Sequence, residues 1–174
     1  MPCAARAVGT AVIAVGRFLT TVQALAPRLH DPRRELTPAE RATLDAVFRG
    51  GLDLDGIRVV PGRAGVLDLS RRPVTLGTTI YLKGATSPGV LVHEAVHVWQ
   101  YRDRGARYVV DALRAQASAT GYDWRAAGVL RWRDLNVEAQ AQVVQDLHDG
   151  LVGPAHRALA DDALATLALP PARS

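Results

Sequence analysis

At 174 residues, with 48% hydrophobic and 22% charged side chains, the chain has the size and composition of one globular domain, which excludes intrinsic disorder and fibrous classes. Its net charge of +4 arises from 20 arginines and one lysine against 17 acids, and Arg28, Arg33 and Arg34 form only a short patch beside Pro27 and Pro32. With no recognisable module and no aromatic residues interleaved among the basic ones, no nucleic-acid partner is expected. The single Cys3 excludes an intramolecular disulfide and leaves the compartment open, and without a CxxC pair a cysteine zinc site is excluded too.

From Arg6 to Ala26 the residues Val8, Val12, Val15, Leu19, Val22 and Ala26 follow a three-four spacing, which predicts an amphipathic packing helix ended by Pro27. The stretch has two other readings, a signal peptide with Ala24-Leu25-Ala26 as its cleavage site, or a helix lying on a membrane surface. Arg17 counts against export, and it interrupts the run of about 20 apolar residues that a membrane span needs. A packing helix and a cytoplasmic location are therefore favoured, while export and membrane contact through this helix stay open. Arg28 to Glu35 reads as a linker. Thr37-Pro38-Ala39-Glu40 then carries the capping-box pattern with proline at the first helical position, so a helix is expected up to Arg49, ended by Gly50-Gly51.

Between Asp53 and Lys83 the signals turn to β. Ile57-Arg58-Val59-Val60, Val66-Leu67-Asp68-Leu69 and Thr78-Thr79-Ile80-Tyr81-Leu82 are short apolar runs separated by glycine or proline, and they predict a small sheet of about three strands. Ser87-Pro88 and Gly105 bracket a helix over 88–104 whose apolar stripe is Val92, Ala95, Val96 and Trp99. Next come a helix from Arg107 to Ser118 on Val109, Val110, Leu113 and Ala117, a turn at Gly121-Tyr122-Asp123-Trp124, and a short helical stretch from Arg125 to Arg133. A helix entered at Asn136 is separated by Gly150 and Gly153-Pro154 from a final helix over 155–167, and Pro170-Pro171 marks a loose tail.

The helix over 88–104 carries the chemistry. In Leu91-Val92-His93-Glu94-Ala95-Val96-His97-Val98-Trp99-Gln100, the residues His93, Glu94 and His97 spell HExxH. Residues four apart lie on nearly one helix face, about 6 Å along the axis, so two imidazoles can grip one metal ion. Glu94 can then sit beside the metal and take a proton from water without being a ligand. Next to the apolar stripe these side chains would be half buried, where unpaired polar groups are costly and a metal would satisfy them.

A catalytic zinc takes three protein ligands and leaves the fourth position for water. The candidates for the third are Asp123, Asp134, Glu138, Asp146 and His148. On the helix entered at Asn136, Val137, Ala141 and Val144 form an apolar stripe, while Asp134, Glu138, Gln142 and Asp146 recur at four-residue steps. Glu138 is the centre of that polar stripe and the preferred ligand, with Asp134 or His148 as replacements. Position 103, where a metzincin places its third histidine, is an aspartate.

The stretches Thr75-Leu76-Gly77-Thr78-Thr79-Ile80-Tyr81-Leu82, Leu91 to Tyr101, and Asn136-Val137-Glu138-Ala139-Gln140-Ala141 resemble the gluzincin-type peptidase domains whose signature is HExxHxxQ followed by a glutamate-bearing helix. Such domains occur alone or in Rhs-type and contractile-injection-associated bacterial proteins. The resemblance runs from Thr37 to Gly150 and implies His93, His97 and Glu138 as ligands of Zn2+ and Glu94 as catalytic base. The expected fold is α+β and zincin-like, mostly helical, with the small sheet placed before the HExxH helix. Residues 1–35 would be the N-terminal helix and linker, 36–168 the domain and 169–174 a tail.

The expected function is hydrolysis of amide bonds in a peptide or protein substrate by metal-activated water, with Glu94 returning the proton to the leaving amine. Tyr101, Tyr108, Tyr122 and His148 are candidates for a donor to the oxyanion. Gln100 and Asp134 are candidates for orienting the histidine rings. The strand around Ile80 is the candidate edge to which an extended peptide adds by main-chain hydrogen bonds. The alternative is a metal-stabilised binding or accessory module that has the same ligands and no productive cleft.

Overall fold

The computed structural model describes residues 7–15, 18, 30–116 and 121–171. Residues 7–15 are helical (α1). The packing face of α1 differs from the predicted stripe: Ile13 is buried with Ala106, Tyr108 and Val109, whereas Val8, Val12 and Val15 are exposed. Gly9 lets α1 approach closely, since a Cβ there would stand 1.8 Å from the Ala106 carbonyl oxygen. Cys3, the Ala24-Leu25-Ala26 segment and the rest of the predicted stripe, Leu19, Val22 and Ala26, lie outside the described residues. Among the described residues no helix is long and apolar enough to cross a membrane.

The segment expected to be a linker is instead fastened along its described part, residues 30–35. Arg34 exchanges two main-chain hydrogen bonds with Val59, at 2.9 and 2.8 Å, and the Asp31 amide donates to the Arg63 carbonyl at 2.8 Å. The Arg34 guanidinium forks both oxygens of Glu40, at 2.6 and 2.8 Å. Glu40 in turn accepts from the Thr37 amide at 2.8 Å, and its own amide donates to the Thr37 hydroxyl at 3.2 Å, so the predicted capping box starts helix α2 (Pro38–Phe48). The helix ends at Arg49, which takes up the left-handed conformation itself at φ 48°, one residue before the glycines.

Three short strands follow, β1 (Arg58–Val60), β2 (Val74–Leu76) and β3 (Thr79–Tyr81), in the order β1-β3-β2. β3 runs parallel to β1 and antiparallel to β2. The β2–β3 hairpin turns on Gly77-Thr78, with Gly77 at φ 66°, the positive φ that a primed hairpin turn needs at its first central position. Two expectations are corrected here. Val66 to Leu69 is no strand but part of a 3₁₀ turn (Gly65–Leu69), closed by the Asp68 carboxylate accepting from the Ala64 amide at 2.9 Å. Ile80 is fully buried on the central strand, so no peptide can add there; the edges are β1, covered by the Arg34 segment, and β2.

Helix α3 (Pro88–Arg104) touches α2, α4 (Arg107–Gln116), α5 (Val137–His148) and the sheet. Every residue from Leu91 to Gln100 is buried, including His93, Glu94, His97 and Gln100, so α3 is enclosed on all sides despite its polar content. The Asp149 carboxylate that follows α5 lies against the first turn of α3, where a helix N-terminus favours an anion. Gly89 makes room for it, because a Cβ there would stand 2.3 Å from an Asp149 oxygen. Arg125 to Arg133 is not helical; only the 3₁₀ turn Trp132–Asp134 forms, and it buries Trp132. The last helix, α6 (Arg157–Leu167), buries Leu159, Ala160, Ala163 and Leu167.

The capping box makes a direct prediction. Thr37→Ala should lower stability by about 1 kcal/mol in denaturant titrations. Hydrogen bonding to Arg34 holds the Glu40 carboxyl below the usual carboxylate range. Its contribution is therefore full above the unfolded pKa of about 4.3 and fades as pH falls through the lower folded value. The stability gap between wild type and Glu40→Gln should be open at neutral pH and close in acid.

Candidate metal centre

His93 and His97 project one turn apart from the buried face of α3, and Glu138 projects from the first turn of α5. Asn136 starts α5 by accepting from the amides of Glu138 and Ala139, at 3.0 and 2.9 Å, which sets where Glu138 leaves the helix. One Glu138 oxygen, Oε2, lies 3.5 Å from His93 Nε2 and 3.4 Å from His97 Nε2. These separations exceed the 2.7–2.9 Å or so of a charge-assisted hydrogen bond. They match the spacing of about 3.3–3.4 Å between two donors held roughly 2.0–2.1 Å from a tetrahedral ion. All three side chains are buried, and the group can hold a metal ion.

Electrostatics favour a cation here. Burial alone would raise the Glu138 carboxyl, but the two histidines bring it far below the usual carboxylate range. Burial alone would lower His97, but the adjacent Glu138 carboxylate and the charge of Glu94 push it up to about 9. Two carboxylates, Glu94 and Glu138, are thus buried in one place, and a divalent ion would offset charge that is costly to enclose.

The surrounding contacts orient each donor. Gln100 Oε1 lies 2.8 Å from His97 Nδ1, while Gln100 Nε2 donates to the Val137 carbonyl at 2.9 Å and to Gln140 Oε1 at 3.0 Å. With the amide fixed that way round, Nδ1 is the nitrogen that keeps its proton whenever the His97 ring is neutral, which leaves Nε2, the atom facing Glu138, as the one able to bind a metal. Gln116, at the end of α4, donates to Glu138 Oε1 at 2.8 Å and leaves Oε2 to face the histidines. Among the described residues His93 Nδ1 has no hydrogen-bond partner, and the His93 ring is held by packing, with Tyr122 stacked at 6.2 Å and 30°.

Glu94 stands outside the three-donor group. Its Oε2 accepts from the Thr75 hydroxyl at 2.8 Å. The Thr75 carbonyl, on the outer side of β2, accepts from the Tyr108 hydroxyl, to which the Gly77 amide donates. Tyr108 therefore occupies main-chain groups that an added peptide strand would use on β2. Burial raises the pKa of the Tyr108 phenol, and the charges of Glu94 and Glu138 add to this.

Of the other residues considered from sequence, Tyr122 reaches the site. Burial and the Glu138 charge raise the pKa of its phenol against the opposing Arg72, whose guanidinium lies 5.2 Å from the ring centroid. The loop that carries Tyr122 is tied to α5 by Asp146, which accepts from Trp124 Nε1 at 2.9 Å and from Arg125 at 2.8 Å. Asp134 is corrected as an orienting residue: it is exposed and pairs with Arg131 at 3.1 Å. Asp123 accepts from the amides of Arg125 and Ala126, Tyr101 packs edge-on against Tyr108, and His148 is exposed at the end of α5. Sequence reasoning assigned no role to Thr75, Gln116 or Arg72. Thr75 had a faint signal as a hydroxyl just ahead of a strand; the other two had none.

A cavity of about 590 Å³ opens over these groups. Its floor is α3, its sides are α4 and α5, and its roof is β2 with residues 67–73. Lys83 fastens the roof, donating to the carbonyls of Leu67 at 2.6 Å and Ser70 at 2.9 Å from a left-handed backbone at φ 52°.

The class defined by fold and site is an α+β protein with a buried His-His-Glu group able to bind a metal, set at the base of a cleft. No protein-family model, no curated protein and no solved structure matches the chain.

Elemental analysis should find one bound metal ion per purified chain and none in His93→Ala or Glu138→Ala. Gln116→Ala leaves the buried Glu138 Oε1 without this donor and should lower stability by about 1–3 kcal/mol. Metal affinity, measured by chelator competition, should fall about tenfold or more as Glu138 loses its orientation.

Proposed function

We propose that the protein is a zinc-dependent peptidase of the gluzincin type with a zincin-like fold, in which His93, His97 and Glu138 hold the metal and Glu94 is the general base. The observation that carries this reading is Glu94 itself, a buried carboxylate beside the three donors, outside their group, with one oxygen held by Thr75. A metal held only for stability has no use for such a group. Two imidazoles and one carboxylate suit zinc, with a position left for water.

Zinc held by His93, His97 and Glu138 would supply Lewis acidity, which lowers the pKa of water to about 7 and polarises a carbonyl. Glu94, through the oxygen that Thr75 does not occupy, would accept a proton from water and return it to the leaving amine. Gln100 and Gln116 keep His97 and Glu138 aimed at one point, so little reorganisation is needed during the reaction. Tyr122, which reaches the site and whose phenol pKa is raised, is the donor we assign to charge growing on the substrate oxygen. Tyr108 is already committed to β2.

Glu94→Gln should retain zinc while turnover of casein or a mixed peptide library falls by at least about 100-fold. Unchanged turnover in that variant, or none in zinc-loaded wild type, would favour an accessory module instead. Thr75→Val should lower kcat about tenfold with KM and zinc content unchanged, and Thr75→Ser should restore it.

A further inference from the structure

We propose that the cleft contains a subsite for a large apolar side chain of the substrate, formed by Val109, Ala112 and Leu113 of α4; this rests on the peptidase reading above. Helix α4 is tied to the centre at both ends, by Tyr108 on Thr75 and by Gln116 on Glu138. Val109, Ala112 and Leu113 fall between these anchors at the i, i+3, i+4 spacing of one helix face. All three line the same cavity as His93, Glu94, His97 and Glu138.

The chemistry of the wall selects the occupant. Leu113 is 55% exposed and Val12, from α1, is 37% exposed, although both face a concave surface. Concave apolar surface converging on a few polar groups is the usual form of a small-ligand or side-chain site. Among the described residues the only acids in the wall are Glu94 and Glu138, which the metal and the proton transfer require. A cationic side chain would therefore be buried without a counter-charge. The cations of the wall are engaged, Lys83 with the Leu67 and Ser70 carbonyls and Arg72 over the Tyr122 ring. Because Tyr108 limits main-chain pairing along β2, side-chain burial against α4 has to supply much of the recognition.

The test uses the zinc-loaded full chain and the α-hydroxamates of glycine, leucine and aspartate, which share one metal-binding head, titrated calorimetrically. Leucine hydroxamate should bind at least about tenfold more tightly than the glycine compound, and the aspartate compound no more tightly than glycine. Leu113→Asp, at an exposed position that tolerates the change, should erase the leucine advantage and leave glycine hydroxamate binding as it was. Equal affinities for leucine and glycine, a preference for aspartate, or an advantage that survives Leu113→Asp would overturn the subsite. If none of the three binds while zinc is present, the peptidase reading fails and the subsite with it.

Discussion

The side-chain amide of Gln100 joins the two helices on which the centre is built. It is fully buried, so each of its polar atoms has to find a partner inside the protein. Its oxygen faces His97, and its nitrogen reaches both the α5 backbone at Val137 and the side chain of Gln140. Gln140 continues the network to the carbonyls of Trp132 and Leu135, ahead of α5. The contact that orients a metal-binding ring is thus the same one that sets α3 against α5, and a change at Gln100 would disturb both. This is a physical reason for a glutamine three residues beyond the second histidine.

Polar burial on α3 is compensated from every side. β2 supplies a hydroxyl to Glu94, α4 supplies an amide to Glu138, and α5 supplies the carboxylate that faces both histidines. Helix α4 has a small core of its own, with Tyr108, Val109 and Ala115 buried, yet it spans the cleft from Thr75 to Glu138. It packs against α3 and α5 and, at Ile13, against α1, and those two polar anchors pin its ends. Movement of α4 would alter the cleft and the aim of Glu138 together.

The roof is held by different means. Residues 65–69 bury none of their side chains fully, so the turn depends on hydrogen bonds: Asp68 closes it and the Lys83 ammonium bridges two of its neighbouring carbonyls. Lys83 does so from a backbone conformation that L-residues rarely adopt, and such strain tends to persist where surrounding structure requires it.

Local patterns determined much of this protein. The Thr37–Glu40 capping box, the span of α3, the Asn136 cap and the one-turn spacing of His93 and His97 depend on residues within a few positions of one another, and each is readable in sequence. Glu138 was also legible, as the centre of a polar stripe beside the apolar positions Val137, Ala141 and Val144. What the tertiary structure decided is which distant residues meet. Val66 to Leu69 alternates like a strand, but Asp68 folds it into a turn and Val74 to Leu76 takes the place beside β3. Ile80 became central because β1 pairs with its strand on one side and β2 on the other. Asp134, chosen for its spacing from Glu138, lies just before the helix begins and turns to solvent and Arg131. Gln116 and Thr75 act across 22 and 19 positions of chain, and no spacing rule links residues that meet only when a core closes.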